Sequence, residues 1–384
     1  MDTFRIVELF QKKYGKQPRL FKAPGRVNLI GEHTDYNDGF VMPMAIDRWT
    51  IVAGTPREDS KVNVTSITLD KSVSFDLNKP GEPKRGEWYD YVEGVAQALL
   101  KSGATLRGAD FIIDSNIPIG AGLSSSASIE VAIGFAFLVL SNLPIDRIKL
   151  ALAGQNAEHN YVGMNCGIMD QFISTLGKKN HALLIDCRSL DYKTIKLELS
   201  DFLFVICDTR VKHKLSSSEY NIRRQECEKG VKILRKILPN IKALRDVTFS
   251  EFNCHANILP VNVQKRCKHV IQENLRTVQA AEAFSKGHLG MLKELMAASH
   301  RSLRDDYQVS CKELDVLVDL ASFQNGVTGS RMTGGGFGGC TINLVNKSNV
   351  QEFKASICKE YFAQTQINPE IHVCEPSDGA CEII

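Results

Sequence analysis

The sequence has no run of five or more Lys or Arg, and its 47 basic residues are nearly matched by 44 acidic ones, a formal charge of +3 over 384 residues. That balance gives neither a nucleic acid nor a membrane surface an electrostatic hold, so small-molecule chemistry is expected. None of the 11 cysteines stands in a C-x-x-C pair. The common zinc and redox spacings are therefore missing, and the odd, scattered set points to a reducing cytosol. No signal-peptide apolar block with a cleavage site occupies the start, which again predicts a cytoplasmic protein. Nor does any stretch reach 18 uninterrupted apolar residues: the nearest, Ile129 to Leu140, contains Glu130 and is too short to span a bilayer. There is no internal repeat and no low-complexity segment. What is present is 43% hydrophobic and 24% charged residues, enough for a large core and too long a chain for most single-core folds, so two domains are expected.

The patterning is that of an α+β protein. A helix is expected from Met1 to Gly15, then β-rich runs at Thr50 to Thr55, Lys61 to Ile67 and Ser72 to Leu77, punctuated by Pro, Gly and Asp. A helix at Trp88 to Lys101 follows, then a strand at Ala109 to Asn116 that a Gly-Ala-Gly turn delivers into a helix from Ser124 to Leu140. Further strands are predicted at His181 to Cys187, Tyr192 to Leu199 and Phe202 to Thr209. A strongly helical stretch, Ser216 to Phe323, comes next, and the tail reads as strand, helix, strand: Cys340 to Val345, Asn349 to Gln364, Glu370 to Cys374. The ordering suggests two lobes, 1–205 and 206–384.

Three motifs carry chemistry. The first, Gly25 to Gly39, sets Arg26, Glu32, His33 and Asp35 within ten residues, a density of hydrogen-bonding groups suited to a polyhydroxylated ligand; a solvated polar turn would read similarly. The second, Ile117 to Ser128, is a small-residue loop just before a helix, where free amides and the positive helix end cradle polyphosphates. A Ser-rich helix cap would account equally for that loop alone. The third, Gly334 to Gly339, formally contains G-x-G-x-x-G, yet the residues after it, Thr341 to Val345, look like a strand rather than the helix of a dinucleotide site. The Walker pattern is absent, and no H-R-D or D-F-G follows the third motif.

Together these motifs closely resemble the galactokinase branch of the superfamily of galactokinase, homoserine kinase, mevalonate kinase and phosphomevalonate kinase, over Lys22 to Val373. Gly25 to Gly39 is similar to the galactokinase signature, Ile117 to Ser128 to the ATP loop, and Gly334 to Gly339 to the third, glycine-rich motif. Cys166 to Phe172, Glu158 within Ala157-Glu158-His159, and Ser217-Ser218-Glu219-Tyr220 followed by Arg223-Arg224 also match.

The resemblance implies a two-lobed fold with mixed sheets and helices in each lobe and the active site in the cleft between them. It implies ATP-dependent phosphorylation of galactose at the anomeric hydroxyl, the entry step of galactose catabolism, by a monomer with no nucleic-acid or membrane partner. Asp170 resembles the catalytic base and Arg26 the cation beside the transferring phosphoryl group. Glu32, His33, Thr34, Asp35, Gly167, Asp170 and Tyr220 resemble the sugar contacts. Gly120, Ala121, Gly122, Leu123, Ser124, Ser125 and Ser126 resemble the phosphate cradle, Ser126 and Glu158 the Mg²⁺ ligands, and Trp88 and Tyr91 the lining of the adenine pocket. Taken singly, Asp170 also fits a turn cap, Arg26 a surface residue, and the aromatic pair an ordinary core contact. Two rival readings are a sister kinase for N-acetylgalactosamine or arabinose, and a galactose- and ATP-binding sensor that has lost catalysis. Against the sensor, the ATP loop and Asp170 are intact.

Overall fold

The computed structural model describes residues 3–212 and 216–383, the side chains of 212 and 216–218 excepted, so those of Ser217 and Ser218 lie outside the described residues. Three sheets organise the described residues. The largest has six strands, in the order Cys381–Ile383, Arg19–Asn28, Pro43–Pro56, Ala109–Ser115, Lys61–Ser66 and Lys71–Asp76. Alternation puts Val62 and Val64 of Lys61–Ser66 on the inner face, where the helices Asp90–Lys101 and Ser125–Leu140 cover them. The helix Ser125–Leu140 is buried on nearly every side, which is why its sequence is apolar all round and carries no amphipathic stripe. On the other face, Ile6 and Phe10 of the helix Thr3–Tyr14 pack on Ile51, Ala53 and Ile112.

A four-stranded antiparallel sheet, Val327–Thr333, Gly338–Asn346, Phe202–Lys212 and Glu370–Cys374, forms the second lobe with the helices Ser216–Leu234, Val261–Lys286, Leu289–Ser302, Lys312–Ser322 and Val350–Thr365. The third sheet is small: Phe40–Val41, His181–Asp186 and Tyr192–Lys196. The glycine-rich motif is the tip of the hairpin between Val327–Thr333 and Gly338–Asn346, strand on both sides.

Some of the layout departs from the sequence reading. Thr50 to Thr55 is the later half of a longer strand, and the strand Arg19–Asn28 and the helices Arg147–Ala157 and Met169–Leu176 join the elements named above. A division at 205/206 would cut the strand Phe202–Lys212, and the final strand returns to the first sheet, Ile383 opposite Leu20. No helix among the described residues is long and apolar enough to cross a membrane.

Candidate active site

The site begins at an irregularity. Between Pro24 and Arg26 the strand Arg19–Asn28 shifts register against Pro43–Pro56, a bulge that re-aims the next side chain. The bulge is pinned by hydroxyls: Ser128 donates to the Ala23 carbonyl and Ser174 to that of Pro24, each at 2.8 Å, while the Arg26 N–H donates to the Leu123 carbonyl at 3.1 Å. A Cβ on Gly25 would stand 2.7 Å from that same carbonyl, so only glycine lets strand and loop approach.

Arg26 then reaches Asp170 with two parallel bonds, Nε to Oδ1 at 2.7 Å and Nη2 to Oδ2 at 2.5 Å, and donates from Nη1 to the Gly122 carbonyl. Ser124 also donates to Asp170 Oδ2. It stands in the left-handed region (φ 57°) as it opens the helix Ser125–Leu140, and Gly120 and Gly122 share that region. Backbone of this kind in non-glycine residues is uncommon and concentrates at functional sites. Ala121 and Leu123 are buried beneath the loop, and the Cys340 thiol donates to the Ala121 carbonyl at 2.8 Å, tying the loop to the strand after the glycine-rich turn.

A cavity of about 290 Å³ gathers the motifs: Arg26, Glu32, His33 and Asp35 from the first, Ser126 from the second, Gly334 to Gly336 from the third, with Glu158, Gly167, Asp170 and Tyr220. Of the expected sugar contacts, Thr34 is the exception. It is fully buried, and its hydroxyl donates to the carbonyls of Gly31 and Phe40, so it shapes the turn and leaves the cavity wall to its neighbours. Asp35 lies so close to Gly167 that a Cβ there would fall 1.7 Å from its Oδ2. Burial, and after it the charge of Asp170, push the Asp35 carboxyl up to about 6.

Glu32 is held from behind. Its Oε2 accepts from the fully buried Arg331 and its Oε1 from the Gly334 N–H at 3.0 Å; Arg331 also bonds the carbonyls of Asn28 and Leu29 and lies 3.9 Å from Glu273. Burial acts to raise Glu273, but Arg276, His269 and Arg331 outweigh it and hold the group near 2. Neither Arg331 nor Glu273 stood out in the sequence. The only signal was an arginine inside the short strand Val327–Thr333, where nothing local explains a charge.

Glu158 opens a π-helical turn, Glu158–Val162, a rare backbone form that marks functional positions. Burial first raises its carboxyl to about 7; the Ser126 hydroxyl bond opposes this and the charge of Asp170 adds to it. Two oxygen donors, one of them a buried carboxylate beside a second carboxylate, fit a cation that takes few protein ligands and completes its shell with phosphate and water, as Mg²⁺ does. A second cavity of about 240 Å³ adjoins the first and shares Ser126. Its wall is mostly apolar and includes Trp88, Tyr91, Leu69, Ile113 and Ile129 together with Ser125.

Comparison with known proteins agrees with this geometry. The model described as the galactokinase galactose-binding signature matches residues 8–56, the GHMP kinases N terminal domain matches 90–178, and the GHMP kinases C terminal domain matches 280–363. The chain is 49% identical to the galactokinase of Chloroflexus aurantiacus, over 96% of this chain and 95% of that protein. It is 46% identical to that of a Roseiflexus species, over 100% and 98%. Among solved structures, Lactococcus lactis galactokinase complexed with galactose superposes with a TM-score of 0.95 at 37% identity, covering 99% of each chain. Methanococcus jannaschii mevalonate kinase, at 21% identity and a TM-score of 0.69 over 94% of this chain and 99% of its own, shares the fold. A bulged strand that aims an arginine at an aspartate, a serine loop that abuts the same aspartate, and a glycine hairpin closing over both thus accompany likeness along the whole chain, which belongs to the galactokinase family of the GHMP kinases.

Proposed function

We propose that the protein transfers the γ-phosphoryl group of ATP to the anomeric hydroxyl of galactose, giving α-D-galactose 1-phosphate and ADP, the entry step of galactose catabolism. The observation that carries this reading is the meeting, in one cavity, of the polar signature residues, the Arg26–Asp170 pair and the Ser126–Glu158 pair, with an apolar cavity joined to it at Ser126. Phosphoryl transfer needs positioning and charge stabilisation more than covalent help.

In the proposed mechanism Glu32, Asp35, Gly167 and Tyr220 orient the sugar, with His33 in the wall behind it. The adenine ring enters the apolar cavity that Trp88 and Tyr91 line, and the Gly120 to Ser126 loop faces the phosphates. Asp170, fixed by Arg26 and Ser124, accepts the proton of the attacking hydroxyl as the new oxygen–phosphorus bond forms and the bond to the β-phosphate breaks. Arg26 faces the charge that develops on the transferring group. Mg²⁺, held by Ser126 and Glu158, would neutralise charge on the β- and γ-phosphates. Its eleven free cysteines fit a cytoplasmic setting, and a monomer is proposed, which sedimentation would check.

An ADP-release assay with galactose, N-acetylgalactosamine and arabinose tests the reading. Turnover with galactose well above the other two is expected; a preference for either of them assigns a sister activity, and binding of galactose and ATP without ADP release removes the enzyme.

A further inference from the structure

Behind the sugar-facing wall runs a buried row of polar contacts. The Gly335 carbonyl lies 3.2 Å from His33 Nε2, His33 Nδ1 lies 2.7 Å from the Tyr36 hydroxyl, Tyr36 lies 2.8 Å from the Tyr307 hydroxyl, and Tyr307 lies 3.2 Å from Cys227 Sγ. Donor and acceptor chemistry gives this row a direction. A carbonyl only accepts, so His33 Nε2 carries the proton. The neutral ring then has Nδ1 as an acceptor, so Tyr36 donates to it, Tyr307 donates to Tyr36, and Cys227 donates to Tyr307.

An imidazolium would keep the bond to Gly335 but turn Nδ1 into a donor to Tyr36, against the direction of the links behind it; the site opposes that form. Burial first, then His269, and also Arg223 lower His33, the Gly335 carbonyl and Glu273 offset them only in part, and the ring ends at about 3. His33 itself is strained, with φ 64°, and is held there by the Asn37 amide donating to its carbonyl at 2.9 Å. Its ring packs 5.5 Å from that of Tyr220, which also meets Tyr36 at 5.2 Å and lies against Gly335.

We propose that Tyr36, Tyr307 and Cys227 are positioning residues for the sugar pocket: their one-way chain holds His33 as the Nε2–H tautomer, its ring on Tyr220 and its proton on Gly335. The wall is thereby assembled from both lobes before the sugar arrives. The proposal rests on the galactose reading, and concerns how the pocket is set rather than what enters it.

Two measurements test it. In wild-type enzyme labelled with 15N-histidine, the His33 signal, identified by its loss in His33→Asn, is expected to be the neutral Nε2–H form at about pH 7. In kinetics, Tyr36→Phe strips the donor from His33 and is expected to raise the galactose KM about tenfold while the ATP KM stays within about twofold. Tyr307→Phe, one link further back, has a smaller effect. Cys227→Ala has the smallest, and Cys227→Ser, which keeps a donor, restores wild-type behaviour. An Nδ1–H or imidazolium signal for His33 overturns the chain, as does a Tyr36→Phe enzyme whose galactose and ATP KM rise together or not at all. The tautomer is read in the wild type, so a variant that folds poorly leaves the test intact. Failure of the wild type to turn over galactose would sink the functional reading without touching the tautomer result.

Discussion

Asp170 receives two bonds from Arg26 and a third from Ser124, yet 28% of its side chain stays exposed in the cavity it lines. A carboxylate so fixed cannot turn away from an approaching hydroxyl. Asp170→Asn keeps the shape and removes the charge, so the variant is expected to fold and bind galactose within a few-fold of wild type while kcat falls by roughly 10²–10⁴. Near-normal turnover would show that the charge is dispensable. Asp35 makes a different prediction. Its carboxyl is raised to about 6, so the folded state favours the protonated form. The sign follows: the stability this group contributes is complete below its unfolded pKa of about 4 and is lost as pH rises through about 6. Sugar binding runs the other way, because only the carboxylate accepts from two hydroxyls. In the pH window below about 6 the galactose Kd is expected to rise about tenfold per unit, and Asp35→Asn to flatten that dependence. Calorimetric titration from neutral pH downward checks it, and an unchanged wild-type Kd across the window removes Asp35 as a reader of the sugar.

At the scale of elements, what positions these side chains is a set of deliberate departures from regular structure. The segment between the π-helical turn Glu158–Val162 and the helix Met169–Leu176 carries Gly167, against which Asp35 packs. Gly167→Ala would put a methyl where the Asp35 carboxylate now lies, and a displacement of that kind is expected to raise the galactose KM by about 10² with little change in the ATP KM. Equal loss for both substrates would place the damage in the fold instead. The glycine-rich turn was legible as one that leads into a strand because a strand pattern follows Gly339, whereas the strand before it, Val327–Thr333, was not; the loop before Ser125–Leu140 was legible because small residues precede an apolar run. Other features left no such trace. In Arg19–Asn28 the Pro-Gly pair hid a strand whose bulge aims Arg26, and no 3.6-residue periodicity reveals a π turn. Arg331, Tyr307 and Cys227 acquire meaning only from partners 58 to 303 residues away, a separation that single-sequence patterns do not encode.

Across the whole molecule the lobes are joined by more than the residues that line the cleft. The last strand pairs back into the first sheet, and Arg331, from the second sheet, is buried between Glu32 of the signature loop and Glu273 of the helix Val261–Lys286. Glu273 keeps Arg276 at 2.6 Å if Arg331 is removed, whereas the Glu32 carboxylate keeps, among the described residues, only the Gly334 N–H. Arg331→Met therefore leaves one uncompensated buried carboxylate, and breaking a buried pair in this way costs about 3–5 kcal/mol. Tm should fall by about 6–20 °C, given about 2–4 °C per kcal/mol in domains of 150–250 residues. Adding Glu32→Gln should recover part of the loss, since the remaining partner is then neutral and isosteric. The pH dependence gives a sharper signature. Burial already raises the Glu32 carboxyl and Arg331 opposes it, so without the arginine the folded-state pKa rises further. A raised acid binds more protons folded than unfolded, hence the destabilisation of Arg331→Met relative to wild type should shrink as pH falls from about 8 toward 5. Melting curves of wild type, Arg331→Met and the double variant across that range decide the matter. A Tm deficit that is independent of pH, or undiminished in the double variant, would mean that Arg331 acts through packing and its carbonyl bonds rather than by holding the charge of Glu32.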